Sequence, residues 1–257
     1  MSVADEAAAW LREATRGGGP IDLLTPHPSL DLDDGYLIQD RIINERCRDG
    51  EFLVGAAVSA IGRTTPPTMA VDEPLYRWLT DGMHIDAGTA LPRSSLLRPR
   101  VRPEIAFIVD RDMDDPAMSA ADVMDACAAV LPALVVVDYR LRQPIVRPGD
   151  VVAICAATSR FALGEVPVPL RDADLSGVRC VLERNGTAVI TAAGTELRGH
   201  PADAVAWLVR QVVFRGTTVE SGMVVLSGGL RGSVVVDTGD TVTARFDGVG
   251  DVRLRCC

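Results

Sequence analysis

The sequence predicts a mixed α+β protein with a largely antiparallel β core and a small helical N-terminal part. Three observations lead there. Two segments with helical apolar spacing open the chain, short β-rich runs bounded by Gly, Pro, Asp or Asn take over from Phe52, and three helical segments interrupt those runs. Residues 2–16 read as a helix with Ala7, Ala8, Trp10 and Leu11 on one side, stopped by Gly17-Gly18-Gly19-Pro20. The acidic cluster Asp31, Asp33, Asp34 opens a second helix, in which Tyr36, Ile38, Ile42 and Ile43 form one stripe and Gly50 marks the end. The division is therefore a helical part over residues 1–50 and a main domain over residues 51–257.

Strands are expected at 52–59, 101–110, 133–142, 151–155, 160–164, 177–184, 187–192, 223–227, 233–237 and 241–246. Asn185-Gly186, between two apolar runs, predicts a tight hairpin, because both central residues of a type I′ turn need positive φ. Helices are expected over roughly 72–81, from near Ser119 with Asp122 in its first turn, and from Pro201 through Trp207 and Val212 to Gly216.

Composition narrows the function classes. The 257 residues suit one sizeable domain, and with 47% hydrophobic but only 4% aromatic residues the core must be built from aliphatic side chains. That balance excludes disorder as the main state. A formal charge of -9 leaves no basic field for nucleic acid or an anionic membrane. The chain has no lysine, which excludes Schiff-base chemistry and a phosphate-loop lysine. Its six cysteines, Cys47, Cys127, Cys155, Cys180, Cys256 and Cys257, show no metal or disulfide spacing and read as free thiols. Asp5, Glu6 and Glu13 are wrong for a signal peptide and no apolar run reaches membrane-spanning length, so a soluble cytoplasmic protein is expected.

A series of short segments, each weak alone, falls in a familiar order: Tyr36-Leu-Ile-Gln39, Val71-Asp-Glu-Pro74, Arg98-Pro-Arg100 leading to Glu104-Ile-Ala-Phe107, and Leu131-Pro-Ala-Leu134 leading to Asp138-Tyr-Arg140. Gly199-His-Pro201, Ala206-Trp-Leu208, Val225-Leu-Ser-Gly228 and Gly239-Asp240 continue it. Through nearly its whole length the chain resembles the 2-keto-4-pentenoate hydratase and 4-oxalocrotonate decarboxylase branch of the fumarylacetoacetate hydrolase superfamily. The resemblance implies that fold, and hydro-lyase or decarboxylase chemistry on 2-oxo-enoic acids with Mg²⁺ or Mn²⁺ held by three carboxylates. A hard cation of this kind prefers oxygen ligands at about 2.0–2.1 Å and acts as Lewis acid on the keto oxygen.

The departures from that pattern fall on its reactive positions. Arg102 and Glu104 occupy the family's Glu-x-Glu, and Val135 stands at its third ligand position. Ala57 replaces the family lysine, and Ile154 and Cys155 fall in its Ala-Asp-Asn segment. Strand alternation places Arg102 and Glu104 on one face, with Val135, Val137 and Tyr139 sharing a side of the later strand and Asp138 and Arg140 on the other. A guanidinium at 102 can hold a carboxylate or enolate in a planar fork, leaving Glu104 for acid–base work, with Tyr139 as a further pocket group. The alternative is an internal Arg102–Glu104 pair that plugs a dead site.

Arg160 is new relative to the pattern, and His200, Ser227 and Gly228 match family positions near the pocket. With Ala57, Val135, Ile154 and Cys155 they form the expected substrate-binding set. His200 also suits a helix cap, Arg140 a structural ion pair, and Cys155 a small core residue rather than a nucleophile. His27 and His84 have no second ligand at metal spacing, and Cys256-Cys257 reads as a pair of mobile thiols.

The first functional reading is a lyase, isomerase or cyclase of specialised metabolism that needs no metal or other cofactor and acts on an enol or enone-like small molecule. The second is a catalytically silent partner subunit of an active hydratase or decarboxylase. The third is a metal-dependent hydratase or decarboxylase with ligands recruited from Glu73, Asp138 or Asp86. By resemblance, the protein is expected to be at least a homodimer.

Overall fold

The computed structural model describes residues 3–16, 19–20, 31–59, 73–138, 140, 142, 148–193, 200–230 and 232–257. Helix α1 (Val3–Arg16) presents Ala4, Ala7, Ala8, Leu11 and Ala14 at helical spacing to a small core of its own. Trp10 falls outside that stripe and is 40% exposed, unlike the sequence expectation. Helix α2 (Leu32–Arg48) starts from a capping box, in which Asp31 Oδ1 accepts from Asp34 N at 3.0 Å and Asp34 Oδ2 accepts from Asp31 N at 3.1 Å. It lies between two cores. Ile38 and Ile42 join the α1 cluster, whereas Tyr36 and Ile43 enter the main one.

Strands β1 (Leu53–Ser59), β2 (Leu75–Thr80), β3 (Ala90–Leu91) and β4 (Pro99–Val109) are followed by helix α3 (Ala120–Ala126) and strand β5 (Cys127–Asp138). Helix α4 (Pro148–Thr158), β6 (Arg160–Leu163), β7 (Val168–Pro169), β8 (Arg179–Arg184) and β9 (Thr187–Ala193) come next. Helix α5 (Pro201–Phe214), β10 (Val224–Leu226), β11 (Val234–Val235), β12 (Thr241–Phe246) and β13 (Gly250–Cys256) complete the chain. One sheet has the order β2-β1-β10-β4-β5-β6, with β11 added to β4 and β7 to β5; the other has the order β3-β13-β12-β8-β9. Pairing is antiparallel except for β1 with β10 and β13 with β3. Strands β12 and β13 pack on β5, and Gly164 approaches the Pro132 ring so closely that a Cβ there would stand 2.6 Å from it. The Pro132 side of β5 therefore faces the second sheet. Among the described residues no helix is long and apolar enough to cross a membrane.

Several elements match their sequence signals. The β8–β9 hairpin turns at Asn185 (φ 54) and Gly186 (φ 78). Helix α3 starts from Ser119, whose hydroxyl accepts from Asp122 N at 3.2 Å.

Two segments take the opposite secondary structure. The helix expected over 72–81 is β2: all six of its residues are buried, which leaves no polar face for a helix, and Tyr76, Trp78 and Thr80 favour an extended chain paired with β1. The strand expected at 151–155 lies inside α4. A continuous apolar run carries no period to separate strand from helix, and here Pro148 and the first-turn Asp150 start a helix buried nearly all round. Strand β5 begins at Cys127 rather than 133 and ends at Asp138 rather than 142, and β13 closes the second sheet without having been expected at all.

Candidate active site

Register across the first sheet decides which side chains meet. Arg77 pairs with Ala57, Ala57 with Leu226, and Leu226 with Ala106. Arg102 pairs with Val135 and Val135 with Phe161, while Glu104 pairs with Ala133. Paired residues share a face, as do residues two apart on one strand. Arg77, Ala57, Arg102, Glu104 and Val135 therefore project from the same face, opposite the one that carries Pro132.

Glu104 is completely buried, and its Oε1 accepts from Arg102 Nε at 2.8 Å. Arg102 keeps about a fifth of its exposure and lies along Gly229, where a Cβ would stand 2.9 Å from Arg102 Cδ. A side chain at 229 would displace the guanidinium. Arg77, on β2, is 1% exposed and donates from Nη1 to Ser59 Oγ. Burial pushes its pKa below the ordinary arginine range, and the Glu104 charge opposes that shift. Among the described residues, Arg77 Nε and Nη2, Glu104 Oε2 and Ser227 Oγ are buried without hydrogen-bond partners. Ser227 follows β10 and its backbone N–H donates to Ile105 O at 2.9 Å, and Gly228 makes the following bend at φ 90.

From the helix side, α4 brings Cys155 within electrostatic reach of Arg77 and Arg102. Burial raises its thiol pKa, and the two guanidinium groups act in the opposite direction. A thiol held protonated is a poor nucleophile. On native protein at neutral pH, iodoacetamide is expected to label exposed Cys47 and Cys257 and to leave Cys155 unmodified, as read by peptide mass spectrometry. Rapid labelling of Cys155 would instead mark it as reactive.

Other expected site residues lie elsewhere. Ile154 packs between the helices with Ala8, Leu11, Ile38 and Ile42. His200 caps α5, its Nδ1 accepting from Ala202 N at 3.1 Å. Arg160 pairs with Val136, one residue out of step with the Val135–Arg102 row, and so leaves the sheet by the opposite face. Tyr139 lies outside the described residues. Asp138 accepts from Leu97 N, Arg98 N and Arg140 Nε, and Arg140 also donates to Thr15 O and Ser95 O, so this pair ties the N-terminal helix to the sheet. Asp86 is 83% exposed beside His84, and Glu73 is exposed. Among the described residues no three His, Cys, Asp or Glu side chains cluster so as to hold a metal ion.

Sequence reasoning missed Arg77 and Ser59. The signal is a lone charge inside the apolar run Leu75-Tyr-Arg-Trp-Leu79, which a helix over 72–81 does not single out.

The fumarylacetoacetate (FAA) hydrolase C-terminal family matches residues 56–256. The chain belongs to the fumarylacetoacetate hydrolase family. It is 34% identical over 250 residues to 2-keto-4-pentenoate hydratase of Paraburkholderia xenovorans (strain LB400), covering 97% of this chain and 93% of that protein. To 4-oxalocrotonate decarboxylase of Pseudomonas putida it is 30% identical over 229 residues, covering 89% and 87%. The solved 4-oxalocrotonate decarboxylase from Pseudomonas putida G7, complexed with magnesium and adipate, superposes with a TM-score of 0.93 at 28% identity over 99% of this chain and 97% of that one. The scaffold of this family member is thus that of the hydratases and decarboxylases.

Proposed function

We propose that this protein is a lyase of the hydratase and decarboxylase kind, acting on a small 2-oxo acid and stabilising its enolate with guanidinium groups. The supporting observation is the set of unpartnered atoms around Glu104: two N–H groups of Arg77 and one carboxylate oxygen, all buried. Each buried polar group left unpaired costs about 1–3 kcal/mol, more when charged. A plugged, retired site would gain by pairing these groups or replacing them with apolar side chains. A substrate carboxylate or enolate oxygen would satisfy the Arg77 fork in its own plane.

A divalent cation fits these residues poorly. Where the resemblance expects three carboxylates stand Arg102, Glu104 and Val135. Glu104 Oε1 is already engaged by Arg102, and Arg77 is close enough for the two charges to interact. A dication entering there would meet two fixed positive charges and a single carboxylate, far from the six oxygen ligands that Mg²⁺ prefers.

In both decarboxylation and hydration of a 2-oxo acid, negative charge grows on the 2-oxo oxygen. Arg77 and Arg102 supply fixed positive charge for that oxygen and the neighbouring carboxylate, at a site dry enough for the attraction to be strong. Glu104 exchanges the proton with the substrate carbon. The apolar Ala57 and Val135 widen and dry the same wall, which also suits a larger enol undergoing cyclisation or isomerisation in specialised metabolism.

Turnover of 2-keto-4-pentenoate or 4-oxalocrotonate is expected to persist in excess chelator. In Arg77→Gln it is expected to fall by roughly a hundredfold or more. Loss of turnover in chelator with recovery on Mg²⁺ addition would overturn the guanidinium reading. A fully active Arg77→Gln would remove Arg77 from it.

A further inference from the structure

A cavity of about 360 Å³ lies at the junction of α1, α2, α4 and the start of β6, and is lined wholly by described residues. Arg12, Arg46, Arg140 and Arg160 line it, against the carboxylates of Glu45, Asp49 and Glu51. Three of these arginines are engaged. Arg12 pairs with Glu45 at 3.3 Å, and Arg46 Nη1 donates to both Glu51 oxygens at 2.9 and 3.0 Å. Arg140 is taken up by Asp138, Thr15 O and Ser95 O. Arg160 differs. Its one hydrogen bond runs from Nη1 to Ser159 O at 2.9 Å, and burial together with the positive charge of Arg46 pushes its pKa below the ordinary arginine range. The carboxylates whose charge acts on it, Glu51 and Asp138, already hold Arg46 and Arg140. A half-buried guanidinium that has no carboxylate of its own among the described residues is an unfinished ion pair.

We propose that this cavity is a second ligand site, separate from the Arg77–Glu104 site, that takes a small organic acid through a single carboxylate bound to the Arg160 guanidinium. The charge arithmetic selects the class. Arg160 alone of the four arginines has no carboxylate within ion-pair distance among the described residues, so it is the group open to an incoming anion, and the three lining carboxylates repel a dianion such as phosphate more strongly than a monoanion. The planar fork of Arg160 matches a carboxylate, and Ile42 and Leu96 on the cavity wall offer an aliphatic stem a dry surface. Because Arg160 leaves the sheet on the face opposite Arg102, a ligand here does not compete directly for the first site. It would bridge the N-terminal helices to the sheet.

Isothermal titration with butyrate, compared with phosphate at matched ionic strength, tests this. Wild-type protein and Arg77→Gln should both bind butyrate, phosphate should bind more weakly by roughly tenfold or more, and Arg160→Met added to Arg77→Gln should lose the butyrate binding that Arg77→Gln keeps. Arg160→Met removes a buried charge with a single hydrogen bond, so its melting temperature without ligand should equal or exceed that of the wild type, which separates lost binding from lost fold. Arg160→Lys keeps the charge without the fork and should bind roughly tenfold more weakly. Absence of butyrate binding in Arg77→Gln, binding retained in the Arg77→Gln, Arg160→Met double variant, or phosphate binding as tight as butyrate would each overturn the proposal.

Discussion

Glu104→Ala is expected to lose about 3–5 kcal/mol of stability together with all turnover, whereas Glu104→Gln should keep the fold and lose only turnover. The carboxylate is inaccessible to solvent, bonds Arg102 at 2.8 Å and interacts with Arg77, itself 1% exposed. Removing it takes away the carboxylate that acts on both guanidinium groups. Breaking a buried pair from one side is far more damaging than never having built it. Glutamine fills the same volume and keeps an oxygen for Arg102 Nε, so the packing survives. It cannot exchange a proton, and loss of a general acid–base group typically slows a reaction by about 10²- to 10⁴-fold. Urea denaturation and turnover of a 2-oxo acid measure the two effects separately. A Glu104→Ala protein within about 1 kcal/mol of wild type would mean that Arg77 and Arg102 are balanced by something other than this carboxylate.

What the sequence made legible here is what local rules govern. Alternation alone put Arg102 and Glu104 on one face, and both the Asn185-Gly186 turn and the Ser119 cap carry their own geometry. Three features depended on tertiary pairing instead. Arg77 is a site residue only because Leu75–Thr80 is extended and paired with β1; read as a helix, the same six residues send its charge to solvent. Val151-Val-Ala-Ile-Cys155 is apolar throughout and carries no period of its own, so its start at Pro148 and Asp150 and its packing against α2 make it a helix, and that helix turns Ile154 and Cys155 toward different cores. Arg160 follows from a register in which β6 meets β5 at Val136 rather than Val135. One residue of slip would carry it to the face of Arg102.

Gly35→Ala is expected to separate α2 from α4 and lower the melting temperature by about 2–8 °C, more than a surface substitution in either helix. The two helices meet backbone to backbone: a Cβ on Gly35 would stand 2.4 Å from Gly149 Cα, and one on Gly149 would stand 2.3 Å from Asp31 O. No rotamer change relieves such a clash, because the atoms struck are main chain. The helices must move apart, loosening the cluster of Ala8, Leu11, Ile38, Ile42, Ala153, Ile154 and Ala157, and overpacking of this kind costs about 1–3 kcal/mol. Alanine's better helix propensity returns at most about 1 kcal/mol. Differential scanning calorimetry reads the shift, with Gly19→Ala as control, since a Cβ at position 19 meets nothing within 4 Å. The consequence extends beyond stability. Helix α4 carries Cys155 beside the Arg77–Arg102 pair at one place and Ala157 and Thr158 on the wall of the Arg160 cavity at another. Displacing it should raise KM at the first site and weaken butyrate at the second in the same variant, although residue 35 lines only the contact between the helices. Unchanged melting in Gly35→Ala would show that α2 and α4 can part without loss, and the coupling of the two sites through α4 would fall with it.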